Sequence, residues 1–321
     1  MLLAEAYFEQ NEVAKAKELM NNRFEYIDSE AVVEVAFVGY RVMAYLQLLT
    51  VGLDEALKIL HLGQESAELV ALTRLKALLV ALEIRLLLQT GKNKEAHLVA
   101  NEFGFNESRS PVFDEDERLA FQEIRELVRA ELSLHKNQPQ KALAILNTQI
   151  LQCEEIGRHR RLMELLLLRA RALHALKRTT DALTDISRAL NIAAKGGFYR
   201  MFLDAGDEIH QLLRLIVKED ANKQTDTVIE FMGKLNKFLL ADHNSNRTKN
   251  QPPVDTLLEP MTKRERQMLD FIKTGETNKD IADKLFISEQ TVKWHLHQLY
   301  KKLGVKNRTS AIAKASALSL I

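Results

Sequence analysis

Along most of the chain, apolar residues recur at three- and four-residue spacing, and this helical pattern carries a longer rhythm. A charged residue followed by alanine returns as Lys15-Ala16, Glu55-Ala56, Glu95-Ala96, Lys141-Ala142 and Asp181-Ala182, at spacings of 40, 40, 46 and 40. Ten residues before each alanine stands an apolar residue: Ala6, Leu46, Leu86, Leu132 and Ala172. Between the two positions lies a polar or glycine-containing break such as "TVG", "QTGKN" or "HKNQP". Two amphipathic segments joined by a short break predict a helical hairpin, and the small alanine lets its two helices approach closely. Each hairpin can bury its remaining apolar face only by stacking on its neighbours, so five of them predict a solenoid. Its concave groove would suit a peptide, a partner protein or a small molecule. The segment "ESRSPVFDED" (107–116) is the loop expected to stretch one interval to 46.

The period is longer than the ~34 residues of tetratricopeptide repeats, which makes the array TPR-like with longer helices. The most apolar stretch, "LVALTRLKALLVALEIRLLLQ" (69–89), is interrupted by Arg74, Lys76, Glu83 and Arg85, and reads as a buried amphipathic helix, not a membrane span. With 46% apolar residues, 5 Pro and 12 Gly in 321 residues, the composition is that of an all-α globular protein. One cysteine, Cys153, excludes an intramolecular disulfide and reads as a buried structural thiol. The start, "MLLAEAYFEQ", lacks the basic and long apolar regions of a signal peptide, so the cytoplasm is the expected location.

After the fifth hairpin, Gly196-Gly197 ends a helix and Phe198 and Phe202 open the next apolar stripe, which predicts a bend. "ADHNSNRTKNQPPVDT", rich in Asn, Pro and charge, reads as a linker. The chain therefore divides into repeats over 1–240, a linker over 241–256 and a C-terminal module over 257–321. Charge follows the division: from Leu257 onward there are 12 Lys/Arg against 7 Asp/Glu, whereas the preceding part has 33 against 37. A basic module that follows a net acidic part points to a polyanionic partner.

Within that module, Thr262 and Glu265 form a capping box for a first helix that Gly275 ends. A second helix begins near Thr277 or Asn278 and carries Ile281, Ala282 and Leu285 on one face. Ser288 caps a third, which runs through Leu303 to Gly304, and a fourth follows Arg308-Thr309. The short break between the second and third helices is that of a helix-turn-helix. On the third helix Val292, Leu296, Leu299 and Leu303 form the core stripe, while Gln290, Trp294, His297 and Lys301 lie on the opposite side with Thr291 and Lys293 at its shoulders. Such a face suits a major groove, where Lys reaches guanine acceptors, His bonds a base edge and Trp meets thymine methyls. Packing of Trp294, the only tryptophan, against the repeats or a second subunit is the competing explanation.

"MTKRERQMLDFIKTGETNKDIADKLFISEQTVKWHLHQLYKKLGVKNRTSAIAKA" resembles the LuxR-type DNA-binding domain: T-x-R-E, G-x-x-N-K-x-I-A, S-x-x-T-V-K-x-H and K-L-G-V-x-N-R-T occur in the family's order. The resemblance implies DNA base-reading positions at Lys293, Trp294 and His297, and phosphate-facing positions at Asn278, Ser288, Thr291 and Lys301. The repeats together with "GGFYRMFLDAG" are similar to the sensor region of the large MalT-type regulators, so that the chain resembles the C-terminal part of these ATP-binding LuxR-type proteins. Double-stranded DNA, RNA polymerase and an effector or protein in the repeat groove are the implied partners. The relatives also carry a nucleotide-binding switch domain, whereas G-x-x-x-x-G-K-[ST] is absent from this sequence. A fragment of a longer regulator and a shortened regulator remain alternatives, and no cofactor is expected.

The last helix presents Ile312, Ala315, Ala317 and Leu320, which fit either a homodimer contact on DNA or closure of the module itself. His295 and His297 have no Cys or carboxylate at ligand spacing, so no metal is expected. No nucleophile, base and orienting acid stand together in one motif, which argues against an enzyme. The alternative function class is a helical-repeat interaction scaffold, which the basic outward stripe disfavours because protein interfaces deplete lysine at their centre.

Overall fold

The computed structural model describes residues 1–21, 32–105, 115–219, 225–248, 263–285, 287–303, 305 and 307–317. Every regular element among them is helical. Five hairpins run α1 (Leu2–Glu9) with α2 (Val13–Asn21), α3 (Val33–Thr50) with α4 (Leu53–Leu69), and α5 (Thr73–Gln89) with α6 (Asn93–Glu102), followed by α7 (Glu115–His135) with α8 (Pro139–Ile156) and α9 (His159–Ala175) with α10 (Thr179–Gly196). The expected loop over 107–116 lies largely outside the described residues, and its last two positions already belong to α7.

The repeated alanine has one structural address. Ala16, Ala56, Ala96, Ala142 and Ala182 are each the fourth residue of the second helix, each fully buried. Each donates its backbone N–H to the carbonyl four residues back, closing the first turn. The apolar position ten residues earlier lies in the closing turns of the first helix, and Leu46, Leu86, Leu132 and Ala172 are buried there. Ala6 is the exception: it is exposed, because α1 turns Ala4 and Phe8 inward instead.

The turn within the hairpin repeats as well. Asn11, Gly91, Asn137 and Lys177, each five residues before the alanine, have φ of 61°, 79°, 56° and 64°. Asn and Gly tolerate this left-handed conformation, whereas Lys177 adopts it at a steric cost. In the second hairpin the positive φ moves one place, to Gly52 at 136°. Close packing is most acute at Gly63 of α4, where a Cβ would lie 2.8 Å from both Leu79 Cδ1 and Tyr40 Cδ1.

The short α11 (Tyr199–Leu203) occupies the bend after Gly197, whose φ is 69°. It is followed by α12 (Asp207–Glu219) and α13 (Asp226–Thr248). Tyr199 stacks on Phe231 of α13 with ring centroids 4.4 Å apart, and Phe202 meets the same ring edge-on. Helix α13 extends into the segment expected to be a linker, and residues 249–262 lie outside the described part.

Three apolar cores succeed one another along the stack, the first shared by α1 to α5, the next by α5 to α7 and the last by α7 to α13. The winding then brings the beginning back against the bend: α1 packs on α11, and Arg200 donates to Asn11 Oδ1 at 3.1 Å while its guanidinium lies 5.4 Å from the Phe8 ring centroid. Ion pairs bridge the first helices of different hairpins. Arg41 donates to Glu5 and Glu9 at 2.5 and 3.1 Å, Arg160 donates to Glu9 at 2.8 Å, and Arg85 pairs with Glu131 at 2.7 Å and with Glu164. Burial pushes Glu9 up, but Arg41 and Arg160 outweigh it and hold the carboxyl below its usual value. Glu164 is held far down in the same way by Arg85, Arg161 and Arg160. Burial drives Asp204 the other way, to about 6, against the opposing pull of Arg200.

Cys153 lies buried in the last core, where burial pushes its thiol up, consistent with an unreactive structural role. No helix among the described residues is long and apolar enough to cross a membrane.

Candidate nucleic-acid interface

The C-terminal module comprises α14 (Lys263–Lys273), α15 (Asn278–Leu285), α16 (Glu289–Lys302) and α17 (Arg308–Ala317). Its core contains Met268, Leu269 and Ile272 of α14, Ile281 and Ala282 of α15, and the stripe Val292, Leu296, Leu299 and Leu303, closed by Ala311 and Ala315 of α17. Thr262 of the expected capping box lies outside the described residues. Gly275 ends the α14 turn with φ 85°.

Helix α15 starts on a reciprocal cap. The Thr277 N–H and hydroxyl donate to Asp280 Oδ2 at 2.9 and 2.6 Å, and the Asp280 N–H returns a bond to the Thr277 hydroxyl at 3.2 Å. These bonds, the hydroxyl's first, hold the Asp280 carboxyl below its usual value. Helix α16 starts on Ser288, whose Oγ accepts the Thr291 N–H at 3.1 Å and lies 2.8 Å from the Thr291 hydroxyl. Asn307 caps α17 by accepting the Ser310 N–H at 2.8 Å. Arg308, one of the basic residues of the segment, donates to the Ile272 carbonyl at 3.1 Å and so ties the start of α17 to the end of α14. That bond makes it a structural cation.

The seven sequence-predicted positions separate in space. Lys293 is exposed on α16. His297 is half-exposed, with Nε2 3.6 Å from Oε1 of Glu55 in the first turn of α4. Trp294 is partly buried and packs against the apolar core shared by α1 to α5. Of the positions expected to face phosphates, Asn278 and Ser288 are partly exposed at helix starts, where backbone N–H groups favour an anion. Thr291 is 1% exposed and shares the cap with Ser288. The side chain of Lys301 lies outside the described residues, as do those of Ala317 and Leu320. Ile312 and Ala315 belong to the module's own core.

His295, beside Trp294, is buried, and the two rings meet edge to face at 4.8 Å. Glu55 had no local signal linking it to this site, because its partner His297 lies in a different part of the chain, beyond all the repeats. The second helix of the two-helix motif is thus anchored from behind by the module's own core, and part of its front rests on the repeats.

Comparison with known proteins places both parts. The family described as MalT-like TPR region matches residues 1–219, two thirds of the chain. The chain belongs to that family. The MalT-like match lies over the repeats, N-terminal to the match of residues 259–315 with the bacterial regulatory proteins of the luxR family. Among relatives, the HTH-type transcriptional regulator MalT of Serratia proteamaculans (strain 568) is 29% identical over 153 residues, which cover 44% of this chain and 17% of that protein. The chain thus aligns with under a fifth of the relative's length. No solved structure matches it.

Proposed function

We propose that the chain is a sequence-specific DNA-binding transcriptional regulator, not an enzyme, whose repeats receive a small-molecule or protein signal. The observation that carries the reading is α16: a helix fixed by its own core and the Ser288 cap, presenting Lys293 outward within a net basic module. In this reading Lys293, Trp294 and His297 read bases in the major groove. Asn278, Ser288 and Lys301 face phosphates, and Thr291, buried beneath Ser288, acts through the cap it shares with that residue. RNA polymerase is the downstream partner, and the groove expected of the repeats receives the effector. Homodimeric binding to repeated half-sites belongs to the proposal on sequence grounds, since Ile312 and Ala315 are used within the module.

The packing of Trp294 on the repeats favours a second reading, in which the module is a docking element of a scaffold and does not bind DNA specifically. Titration of the full chain with duplex DNA across a salt series separates the two. With four or five phosphate contacts, the slope of log K against log salt is expected near −4, at ~0.9 per contact. A flat response overturns the DNA reading. Selection of bound genomic fragments then supplies the site, and enrichment of no sequence would leave the scaffold.

A further inference from the structure

The face of α16 that a duplex would occupy is partly covered by the chain itself. Trp294 rests against the core of the first hairpins, and His297 faces Glu55, which lies in the first turn of α4 beside the exposed Asp54. Glu55 is held from behind as well, by Lys58 Nζ at 2.8 Å. The repeat surface thus offers α16 what a groove offers, an apolar contact for Trp and negative charge for the basic flank. Two of the three base-reading positions cannot meet a base and the repeats at once. The third, Lys293, stays open to solvent.

On these grounds we infer that the repeats hold the helix-turn-helix in a closed state, with the start of α4 competing with DNA for Trp294 and His297. The inference rests on the DNA-binding reading above. In the closed state the apparent affinity for DNA is reduced by the fraction of molecules that are open. A signal received by the repeats would act by shifting that fraction, and only by as much as it prefers one state over the other.

Because Trp294 is the only tryptophan, its fluorescence reports the contact without any DNA present. The test uses the full chain in four forms: wild type, Glu55→Arg, Glu55→Gln and, as a charge control far along the same helix, Glu68→Arg. Glu68 is largely exposed and pairs with Lys76. Acrylamide quenching of Trp294 and binding to a mixed-sequence duplex at low salt are measured on each, with circular dichroism to verify the fold. The expected result is a large rise in quencher access in Glu55→Arg, a smaller rise in Glu55→Gln and no change from wild type in Glu68→Arg. Duplex affinity is expected to follow the same order, rising about tenfold in Glu55→Arg if closed molecules outnumber open ones by about ten to one.

Raised quencher access with unchanged duplex affinity in the Glu55 variants overturns the competition and leaves the DNA reading standing. Equal affinity gains in Glu68→Arg and Glu55→Arg would show a plain charge effect and overturn it also. Duplex bound by none of the four forms overturns the DNA reading and this inference with it.

Discussion

Arg160 Nη2 donates to Glu9 Oε1 at 2.8 Å across 151 residues of sequence, and Arg41 Nη1 donates to the same oxygen at 3.1 Å. One carboxylate therefore joins three helices: α1, α3 and α9. Removing one partner from such a buried arrangement leaves uncompensated charge, which costs about 3 kcal/mol.

The pairing has a pH signature. The folded Glu9 carboxyl titrates below 4.5 because the two guanidinia outweigh burial. Its contribution is therefore fully present above the unfolded value and is lost as the pH falls through the lower folded value. Urea melts of wild type and Glu9→Gln should differ by a constant amount from neutral pH down to about pH 5, and the difference should shrink below about 4.5. A difference that grew with acid would contradict this sign.

Gly63→Ala sets two effects against each other. Alanine gains up to about 1 kcal/mol in helix propensity over glycine. Its Cβ, however, would come within 2.8 Å of the Leu79 side chain and of the ring of Tyr40, both buried. Overpacking of this kind costs about 1–3 kcal/mol, so a net loss is expected in chemical denaturation. A gain would show that α3 and α5 can move apart.

Lys177 tests the hairpin turn. Relief of its left-handed strain by Lys177→Gly should raise stability by up to about 1 kcal/mol, after the entropy cost of glycine is subtracted. Gly91→Ala at the equivalent turn should lower stability by a similar amount. Paired thermal melts are sufficient to check both signs.

On the DNA side, Lys293→Ala should cost about 1–3 kcal/mol on the preferred site and little on random duplex, because an exposed lysine on α16 can be lost without harm to the core. Lys301→Ala should weaken binding to every sequence alike and flatten the salt slope by about one unit. Competition titrations with site and random duplex distinguish the two patterns.

The hairpins were legible because each is a local object: a charged residue, Ala and an apolar residue ten positions earlier all fall within two helices that touch. Caps were legible for the same reason, as Thr277 and Ser288 act within three residues of themselves. What periodicity could not reveal is the pairing of distant helices. Arg41, Arg85 and Arg160 look like solvated charges in a one-dimensional reading, yet they link the inner helices of the winding. Trp294 lies opposite the core stripe of α16 as its position demands, but that side meets the repeats. Ala6 failed the pattern because α1 packs on α11 as well as on its own hairpin, and the extra neighbour alters which residues turn inward.

The return of α1 onto α11 makes the array a loop in the topological sense, with two routes between any pair of hairpins. From α9 to the start of α4 one route descends through the intervening hairpins, helix by helix. The other is a shortcut: Arg160 to Glu9, then Arg41 and the α3 helix that precedes Gly52. Where two distant turns of a spring are fastened together, a disturbance in one is felt in the other, and the start of α4, where α16 rests, lies one hairpin from that fastening.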